Sequence, residues 1–507
     1  MIQARARSWL SVSLAVALGA CLRLAFIHYA PTISGDTFIY GDIALSWKQY
    51  GIYGFSQPPL PPTPTLIRLP GYPLFLVLCF HLFGAEHYTA VLLVQLVVDL
   101  AAALLLAALA RRLFGPRAGV LALFLAALCP FTASYVAAAL TETLTLATIT
   151  VAFYALARWA PPTATTTILW TPWNRWLWIL SATLAAALLL RPEQGLLAAA
   201  VLPAVLWISW ISATHPPTSA STRRRSALAP ALAASLCVLL PRLPWTIRNA
   251  RTFHVFQPLA PRSAVDPGEP TPAGFDLWFR TWGIDFASTE DLYWNYDGAR
   301  LPFSEIPPRA FDTPAQAAQT AALIRDYNLT ARPSPELEAR FHRLATDRIR
   351  AHPIRYWVAL PLARLANMLL RPRIEMLPIP LAWWRAAEHP AQTAFALAYA
   401  TLNLAWLLAG VLGFARWTRR QPDPTRVIAW SMIAFLLLRS ALLLTLDNSE
   451  PRYTLELFPI LTLGIAALSR RDTTQTRESS PRKEPPKLPS RATKPGSRLV
   501  RVKGNSV

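Results

Sequence analysis

The sequence predicts an all-α, multi-pass membrane protein of the kind that has about ten transmembrane helices, interfacial helices and one outer insert. Of the 507 residues, 53% are hydrophobic and only 15% are charged, which is an unusually apolar balance for a soluble domain. Several apolar runs approach the roughly 20 residues that a helix needs to cross a bilayer. Lys and Arg collect in short loops between these runs, as they do in cytoplasmic loops.

Ten apolar spans account for the transmembrane prediction. They lie at 9–30, 88–110, 118–137, 141–158, 174–190, 193–212, 228–246, 391–415, 426–446 and 454–469. With a cytoplasmic amino terminus, this count puts the basic clusters at 111–117, 223–225, 416–420 and the tail from 470 all on the cytoplasmic side. Two further apolar pieces, 70–84 and 354–370, are short or charged and are expected to be interfacial or re-entrant.

The spans divide the chain into four expected parts. These are an N-terminal transmembrane catalytic module at 1–247 with its first outer loop at 31–87, an extracytoplasmic insert at 248–352, an interfacial helix with the C-terminal transmembrane helices at 353–470, and a basic disordered cytoplasmic tail at 471–507. The formal net charge of +21 is explained by positive-inside loops and by contact of the tail with anionic headgroups. We therefore expect membrane lipids and no nucleic acid as partners.

Ionisable residues in a membrane protein are costly, roughly 2.5–3.5 kcal/mol each at the bilayer centre, so their positions are informative. Under the ten-span topology they gather toward the outer ends of helices and the adjoining loops: Arg23, Asp36, Asp42, Glu142, Arg191, Glu193, Arg248, Glu450 and Arg452. Asp99 and Arg439 lie deeper and could pair with each other or with this set. Guanidiniums hold phosphate oxygens, and a carboxylate can accept a proton from an attacking hydroxyl. The mixture predicts group transfer from a phosphorylated lipid.

Six motifs follow one another along the chain. They are Gly35-Asp36 with Tyr40 and Ala44, Leu69-Pro70-Gly71-Tyr72-Pro73 closed by Leu82-Phe83-Gly84, Thr141-Glu142-Thr143-Leu144, Arg191-Pro192-Glu193, Pro244-Trp245-x2-Arg248-Asn249, and Glu450-Pro451-Arg452-Tyr453. In this order they resemble the GT-C glycosyltransferases, in the branch of dolichyl-phosphate-mannose protein mannosyltransferases and aminoarabinose transferases, over about residues 9 to 470.

The resemblance implies a polyprenyl-phosphate sugar donor, inversion at the anomeric carbon and an essential acid in the first outer loop. Asp36 matches that acid by position. The chain has Gly-Asp where the mannosyltransferases have Asp-Glu, and no His-Pro-Pro motif follows this pair within the first outer loop at 31–87. The sugar and the hydroxyl acceptor, whether glycolipid, glycan or protein, therefore stay open.

Each candidate residue has an expected role and a structural alternative. Asp36, as general base, and Glu142 are expected to be catalytic, although each could simply sit at a helix start. The expected phosphate ligands are Arg23, Arg191, Arg248 and Arg452, and the possible substrate-binding residues are Tyr40, Asp42, Tyr72, Glu193, Trp278 and Trp282. An arginine beside a helix end can also serve only as a headgroup anchor.

Cofactors and rival functions complete the expectations. No cofactor or metal is expected, although Asp36, Asp42 and Glu142 could converge on a divalent cation. A membrane transporter or lipid flippase of polyprenyl-linked glycans would also hold charges, but such proteins place them near the midplane and often show paired halves. A catalytically inactive scaffold is the other alternative.

Overall fold

The computed structural model describes residues 2–160, 174–213, 220–419 and 425–469. Within these ranges the protein is predominantly α-helical, which confirms the predicted fold class. The helices are α1 (Ile2–Tyr29), α2 (Asp36–Tyr50), α3 (Gly71–Phe83), α4 (Tyr88–Phe114), α5 (Pro116–Leu128), α6 (Pro130–Ala133), α7 (Glu142–Trp159), α8 (Arg175–Leu190), α9 (Gly195–Ala213), α10 (Ala220–Leu239), α11 (Leu243–Phe253), α12 (Ala273–Arg280), α13 (Phe286–Ser288), α14 (Pro314–Asn328), α15 (Pro335–Ala351), α16 (Leu360–Leu370), α17 (Pro390–Arg419), α18 (Thr425–Leu443) and α19 (Phe458–Ala467). The predicted tail at 471–507 lies outside the described residues.

Six stretches in the described ranges are long and apolar enough to cross a membrane, and the bent pair Pro116–Leu128 with Pro130–Ala137 makes up to seven. The six are Trp9–Tyr29, Tyr88–Phe114, Pro192–Ile211, Leu228–Phe253, Pro390–Arg419 and Thr425–Leu443. The spans expected at 141–158, 174–190 and 454–469 form helices but are not among these. The multi-pass architecture is thus confirmed, and the number ten stays a prediction.

Helices that follow one another in the chain pack against each other in the helical bundle. α4 packs against α5, α7 against α8, and α9 against α10. Their shared apolar core includes Leu109, Phe153, Leu184 and Val201, all of which are buried. Large apolar side chains such as Leu408 remain exposed along the outer helices, where lipid would cover them.

The first loop folds onto the end of this bundle. It consists of α2, the antiparallel hairpin of β1 (Gly54–Gln57) and β2 (Leu60–Pro64), and α3. The Thr32 amide donates to the carbonyl oxygen of Ala137 at 2.9 Å, and a Cβ at Gly71 would lie 2.6 Å from the carbonyl oxygen of Leu189. Glycine therefore lets α3 approach α8 closely.

The insert has an aromatic core of its own. α12 packs against α15, and Phe275, Trp278, Trp282 and Phe341 lie buried between the helices of this region. Ser334 caps α15 by accepting a hydrogen bond from the Leu337 amide, as a Ser before Pro at the first helical position commonly does. The predicted division of the chain into domains stays a prediction.

Close glycine contacts join α17 to α19. A Cβ at Gly413 would lie 1.7 Å from the carbonyl oxygen of Gly464, and a Cβ at Gly464 would lie 2.4 Å from the carbonyl oxygen of Gly410. Small residues at a helix interface allow membrane helices to approach in this way. The approach fixes α19 and the 3-10 helix Pro451–Leu457 that leads into it.

We expect Gly413→Ala to lower the melting temperature of the purified protein, because the obstructing atom belongs to the backbone and cannot rotate away. Overpacking of this kind costs roughly 1–3 kcal/mol. The control is Gly195→Ala, where the nearest atom, Leu188 Cδ1, lies at an ordinary 3.5 Å. Equal melting temperatures for the two variants in detergent would contradict the close packing of α17 and α19.

Candidate active site

Asp36 stands at the centre of the candidate site as the first residue of α2. Gly35 precedes it with a φ of +54°, a conformation that residues with a Cβ rarely adopt. Two guanidiniums bind the carboxylate: Arg68 Nη2 donates to Oδ1 at 2.7 Å and Arg452 Nη2 donates to Oδ2 at 2.9 Å. Each carboxylate oxygen thus has its own cationic donor, and the three side chains are only partly exposed.

The segment 137–139 brings Asp36 near Glu142. Thr32 donates its amide to Ala137, and the Thr37 hydroxyl donates to the Ala139 carbonyl at 3.3 Å. Asp36 lies between these two tethers in the sequence, and Glu142 begins α7 a few residues after the segment. The first loop is therefore fastened directly beside the start of α7.

Arg452 joins Asp36 to two further carboxylates. Its Nε lies 3.8 Å from Glu142 Oε1, and the same nitrogen pairs with Glu450. Arg452 and Glu450 belong to the turn that enters the 3-10 helix Pro451–Leu457. One guanidinium therefore links the first loop, the start of α7 and the segment before α19.

Arg191 extends the cluster from Glu142. It ends α8, and its Nη1 donates to Glu142 Oε1 at 3.1 Å while its Nε donates to Glu193 Oε1 at 2.6 Å. On α18, Arg439 lies 3.0 Å from Glu456 and 3.7 Å from Glu193. The ion pairs thus run without interruption from the first loop to α18.

We call this set the ionic network. Its members are Asp36, Glu142, Glu193, Glu450, Glu456, Arg68, Arg191, Arg439 and Arg452. Full ionisation of the five carboxylates and four guanidiniums would leave one excess negative charge. Buried ions are stable only when they are paired, so an incoming anion has to compete with carboxylates for the guanidiniums.

The pKa values of Asp36 and Glu450, two of the carboxyls that contact Arg452, are shifted in opposite directions. Burial by itself would raise the pKa of Asp36, but the charges of Arg452 and Arg68 outweigh burial and lower the pKa to about 2. Burial raises the pKa of Glu450 to about 7, although Arg452 opposes this. Neighbouring carboxyls with separated pKa values commonly divide acid and base roles.

Two tyrosines, Tyr40 and Tyr72, lie next to Arg68 at the edge of the network. The guanidinium carbon of Arg68 lies 5.6 Å from the ring centroid of Tyr40, and that ring meets Tyr72 edge-on at 5.1 Å. The Tyr72 hydroxyl is occupied, since it donates to Gln95 Oε1 at 2.8 Å. The Tyr40 side chain is half-buried and is the better placed of the two to meet a ligand.

Arg23 does not fit its predicted role as a phosphate ligand. It is fully buried, donates from Nε to Asp99 Oδ2 at 2.6 Å and from Nη1 to the Ala127 carbonyl at 2.6 Å. Asp99 therefore pairs with Arg23, whereas Arg439 joins the ionic network. The contacts of Arg23 hold α1 against α4 and the end of α5.

Arg248 also has a structural role in place of the predicted one. It donates to the carbonyl oxygens of Thr65 and Tyr53, each at 2.7 Å, and so fastens the first loop to α11. Asp42 accepts a hydrogen bond from the Ser56 amide at 3.1 Å, which holds α2 against the hairpin. Neither side chain makes an ion pair with the network in the described part of the chain.

Trp278 and Trp282 are not placed to stack on a substrate. Each is 1% exposed in the core of the insert, and their rings meet edge-on at 5.2 Å. The sequence predicted that they lie in the insert, but it did not show which of the aromatic residues there face the interior.

Four members of the network had no predicted site role: Arg68, Arg439, Glu450 and Glu456. Glu450 lies inside a motif that carries the family resemblance and Arg68 directly precedes another, so these positions were the available signal. Arg439 was noted as a deep charge that needed a partner. Only the fold indicates Glu456, because its partners Arg191 and Arg439 come from other helices.

No group of three or more His, Cys, Asp or Glu side chains in the described ranges is arranged to hold a metal ion. Asp42 lies with the hairpin, so the three acids considered for a divalent cation do not converge. Asp36 and Glu142 are instead engaged by arginines.

Comparison with known proteins gives one family match. Residues 63–245, less than half of the chain, match the model of the dolichyl-phosphate-mannose-protein mannosyltransferases. No curated protein matches the chain at a significant level.

The chain is also similar to solved structures of low sequence identity. The Archaeoglobus fulgidus oligosaccharyltransferase in complex with Zn and sulfate has 14% identity and a TM-score of 0.46, with 90% of this chain and 48% of that chain covered. ArnT from Cupriavidus metallidurans in the apo state has 16% identity and a TM-score of 0.36, with 91% and 78% covered. The chain spans about half the length of the archaeal enzyme. The family match over residues 63–245 confirms the resemblance to GT-C glycosyltransferases that the sequence motifs predict.

Proposed function

We propose that this protein is a glycosyltransferase that moves a sugar from a polyprenyl-phosphate donor to a hydroxyl acceptor at the extracytoplasmic face of the cytoplasmic membrane. The observation that carries the proposal is the sharing of Arg452 among Asp36, Glu142 and Glu450. The network lies where helices start and end, so a lipid phosphate can reach it while its chain stays among lipids. The family match supports the donor class, because its description names dolichyl-phosphate-mannose.

The proposed reaction is a single inverting displacement. The acceptor oxygen forms a bond to the anomeric carbon, and the bond between that carbon and the phosphate oxygen breaks. The polyprenyl phosphate leaves with the bonding electrons, and its oxygens are held by Arg452 and Arg68. The proton of the acceptor hydroxyl passes to Asp36. Arginine suits the phosphate because its parallel donors match two oxygens at once.

Donor binding controls the strength of the base in this mechanism. While Arg452 and Arg68 pair with Asp36, the pKa of about 2 makes the carboxylate a weak proton acceptor. The donor phosphate competes for the same guanidinium donors. Once those pairs weaken, burial raises the pKa of Asp36, so Asp36 becomes a stronger base only when the donor is present.

We expect Asp36→Asn to abolish sugar transfer, because an amide cannot accept the hydroxyl proton. Loss of a general base typically slows turnover about 10²- to 10⁴-fold. The measurement is release of polyprenyl phosphate from a polyprenyl-phosphate sugar by the purified protein. The control is Asp42→Asn, whose amide oxygen can still accept from Ser56 and which should retain activity.

Turnover by Asp36→Asn close to that of the parent protein would remove Asp36 from the mechanism. Passage of the intact donor across vesicle membranes, without release of polyprenyl phosphate by the parent protein, would support the transporter alternative. Both variants should elute as the parent does in size-exclusion chromatography.

We expect Arg452→Lys to lower kcat/KM for the donor by about 10- to 150-fold, which corresponds to the roughly 1.5–3 kcal/mol of a hydrogen bond to a charged group. Lysine keeps the charge but loses the paired donors. The matched control is Arg262→Lys, because Arg262 is an exposed partner of Asp447 away from the network. Equal donor kinetics in the two variants would place the phosphate site elsewhere.

A further inference from the structure

A cavity lies where the insert meets the bundle. Its volume is about 280 Å³, and it is formed by α13, the end of α16 and the loop that follows. The lining residues with polar or aromatic side chains are Asp285, Phe286, Asn367, Arg371, Trp383 and Trp384. We call this cavity the insert pocket. Neither the family resemblance nor the ionic network uses these residues.

Arg371 is a buried cation on which the carboxylates of Glu375, Asp285 and Glu290 act only at longer range. It is 7% exposed, its Nε donates to the Pro372 carbonyl at 3.3 Å, and its guanidinium lies 4.9 Å from the centroid of the Phe286 ring. Among the described residues it forms no ion pair. Burial of an unpaired charge is unfavourable, so an anionic group in the pocket would be stabilised by Arg371.

The acid that lines the pocket, Asp285, acts on Arg371 at longer range but makes its direct contacts with other groups. Asp285 pairs with Arg309 and accepts hydrogen bonds from the amide of Ser288 at 2.9 Å and from its hydroxyl at 3.2 Å. These contacts satisfy the carboxylate within the insert. The guanidinium of Arg371 is thus the charged group in the pocket with unused donors.

The rest of the lining suits a sugar ring. Trp383 and Trp384 stand edge to face with ring centroids 6.0 Å apart, and Trp384 is 54% exposed. Indole faces pack well on the apolar C–H face of a sugar ring. Asn367 Oδ1 accepts from the Ser449 hydroxyl at 3.0 Å, which leaves its amide N–H groups for ligand hydroxyls.

A hydrogen bond connects one residue of the insert pocket to the segment that carries part of the ionic network. Ser449, the partner of Asn367, directly precedes Glu450, and its amide donates to Thr289 Oγ1 at 3.3 Å. The Asn367 side chain therefore connects a ligand in the pocket to the residue that precedes Glu450.

We infer that the insert pocket binds the acceptor, and that the acceptor is a carbohydrate that carries an anionic group such as a phosphate or a carboxylate. Trp383 and Trp384 pack against the sugar ring, Asn367 binds its hydroxyls and Arg371 binds the anionic group. The assignment of this ligand as acceptor rests on the proposed function. The inference that the pocket binds an anionic carbohydrate does not depend on the proposed function.

The experiment measures binding of glucose 6-phosphate, glucose and inorganic phosphate to the purified full-length protein by isothermal titration calorimetry. Glucose 6-phosphate should bind at least tenfold more tightly than either other probe. Arg371→Gln should remove that advantage, and Trp384→Ala should weaken both sugars. The controls Arg340→Gln and Trp357→Ala alter exposed residues outside the pocket and should bind as the parent does.

Two outcomes overturn the pocket assignment: inorganic phosphate that binds as tightly as glucose 6-phosphate, or sugar binding that neither pocket variant weakens. Release of polyprenyl phosphate with water as the acceptor is measured in parallel on the parent protein. Sugar binding through Arg371 without any such release in the parent would overturn the proposed function alone. Release without sugar binding would overturn the pocket assignment alone.

Discussion

The guanidinium of Arg452 is shared by carboxylates from the first loop, from α7 and from the turn before α19, and the candidate site depends on this sharing. A buried ion that loses its partner is destabilising by about 3–5 kcal/mol. The pairs must therefore form together, when the loop and the helices have all packed. The hydrogen bonds of Thr32 and Thr37 to the segment 137–139 hold the first loop where Asp36 meets Arg452.

The same pairs that stabilise the resting site oppose its function. Asp36 is well compensated, and its pKa of about 2 reflects that compensation. In the proposed mechanism a donor phosphate displaces a carboxylate from a guanidinium, and Glu450, with a pKa of about 7, takes up a proton as the charge is redistributed. Natural proteins often retain locally unfavourable arrangements of this kind at their functional sites.

Two arginines that the sequence predicts as phosphate ligands instead stabilise the fold. Arg248 reaches two carbonyl oxygens of the first loop, and Arg23 closes α1 onto α4 through Asp99. Their effect on function would be indirect, through the position of the loop that carries Asp36. The tryptophans Trp278 and Trp282 likewise serve the fold, because they form the core of the insert. The insert pocket beside α16 is lined by other aromatic residues.

The sequence by itself determined the all-α membrane architecture, the gathering of charges at one end of the helices and the family resemblance. These follow from hydropathy, charge and motif order, which are local properties of the chain. Only the tertiary structure decided which arginine meets which acid. Arg452 reaches Asp36 across a separation of 416 residues, whereas Arg23 finds Asp99. A guanidinium pairs only within a few ångströms, and helix packing alone sets such distances, so composition and spacing could not assign the partners.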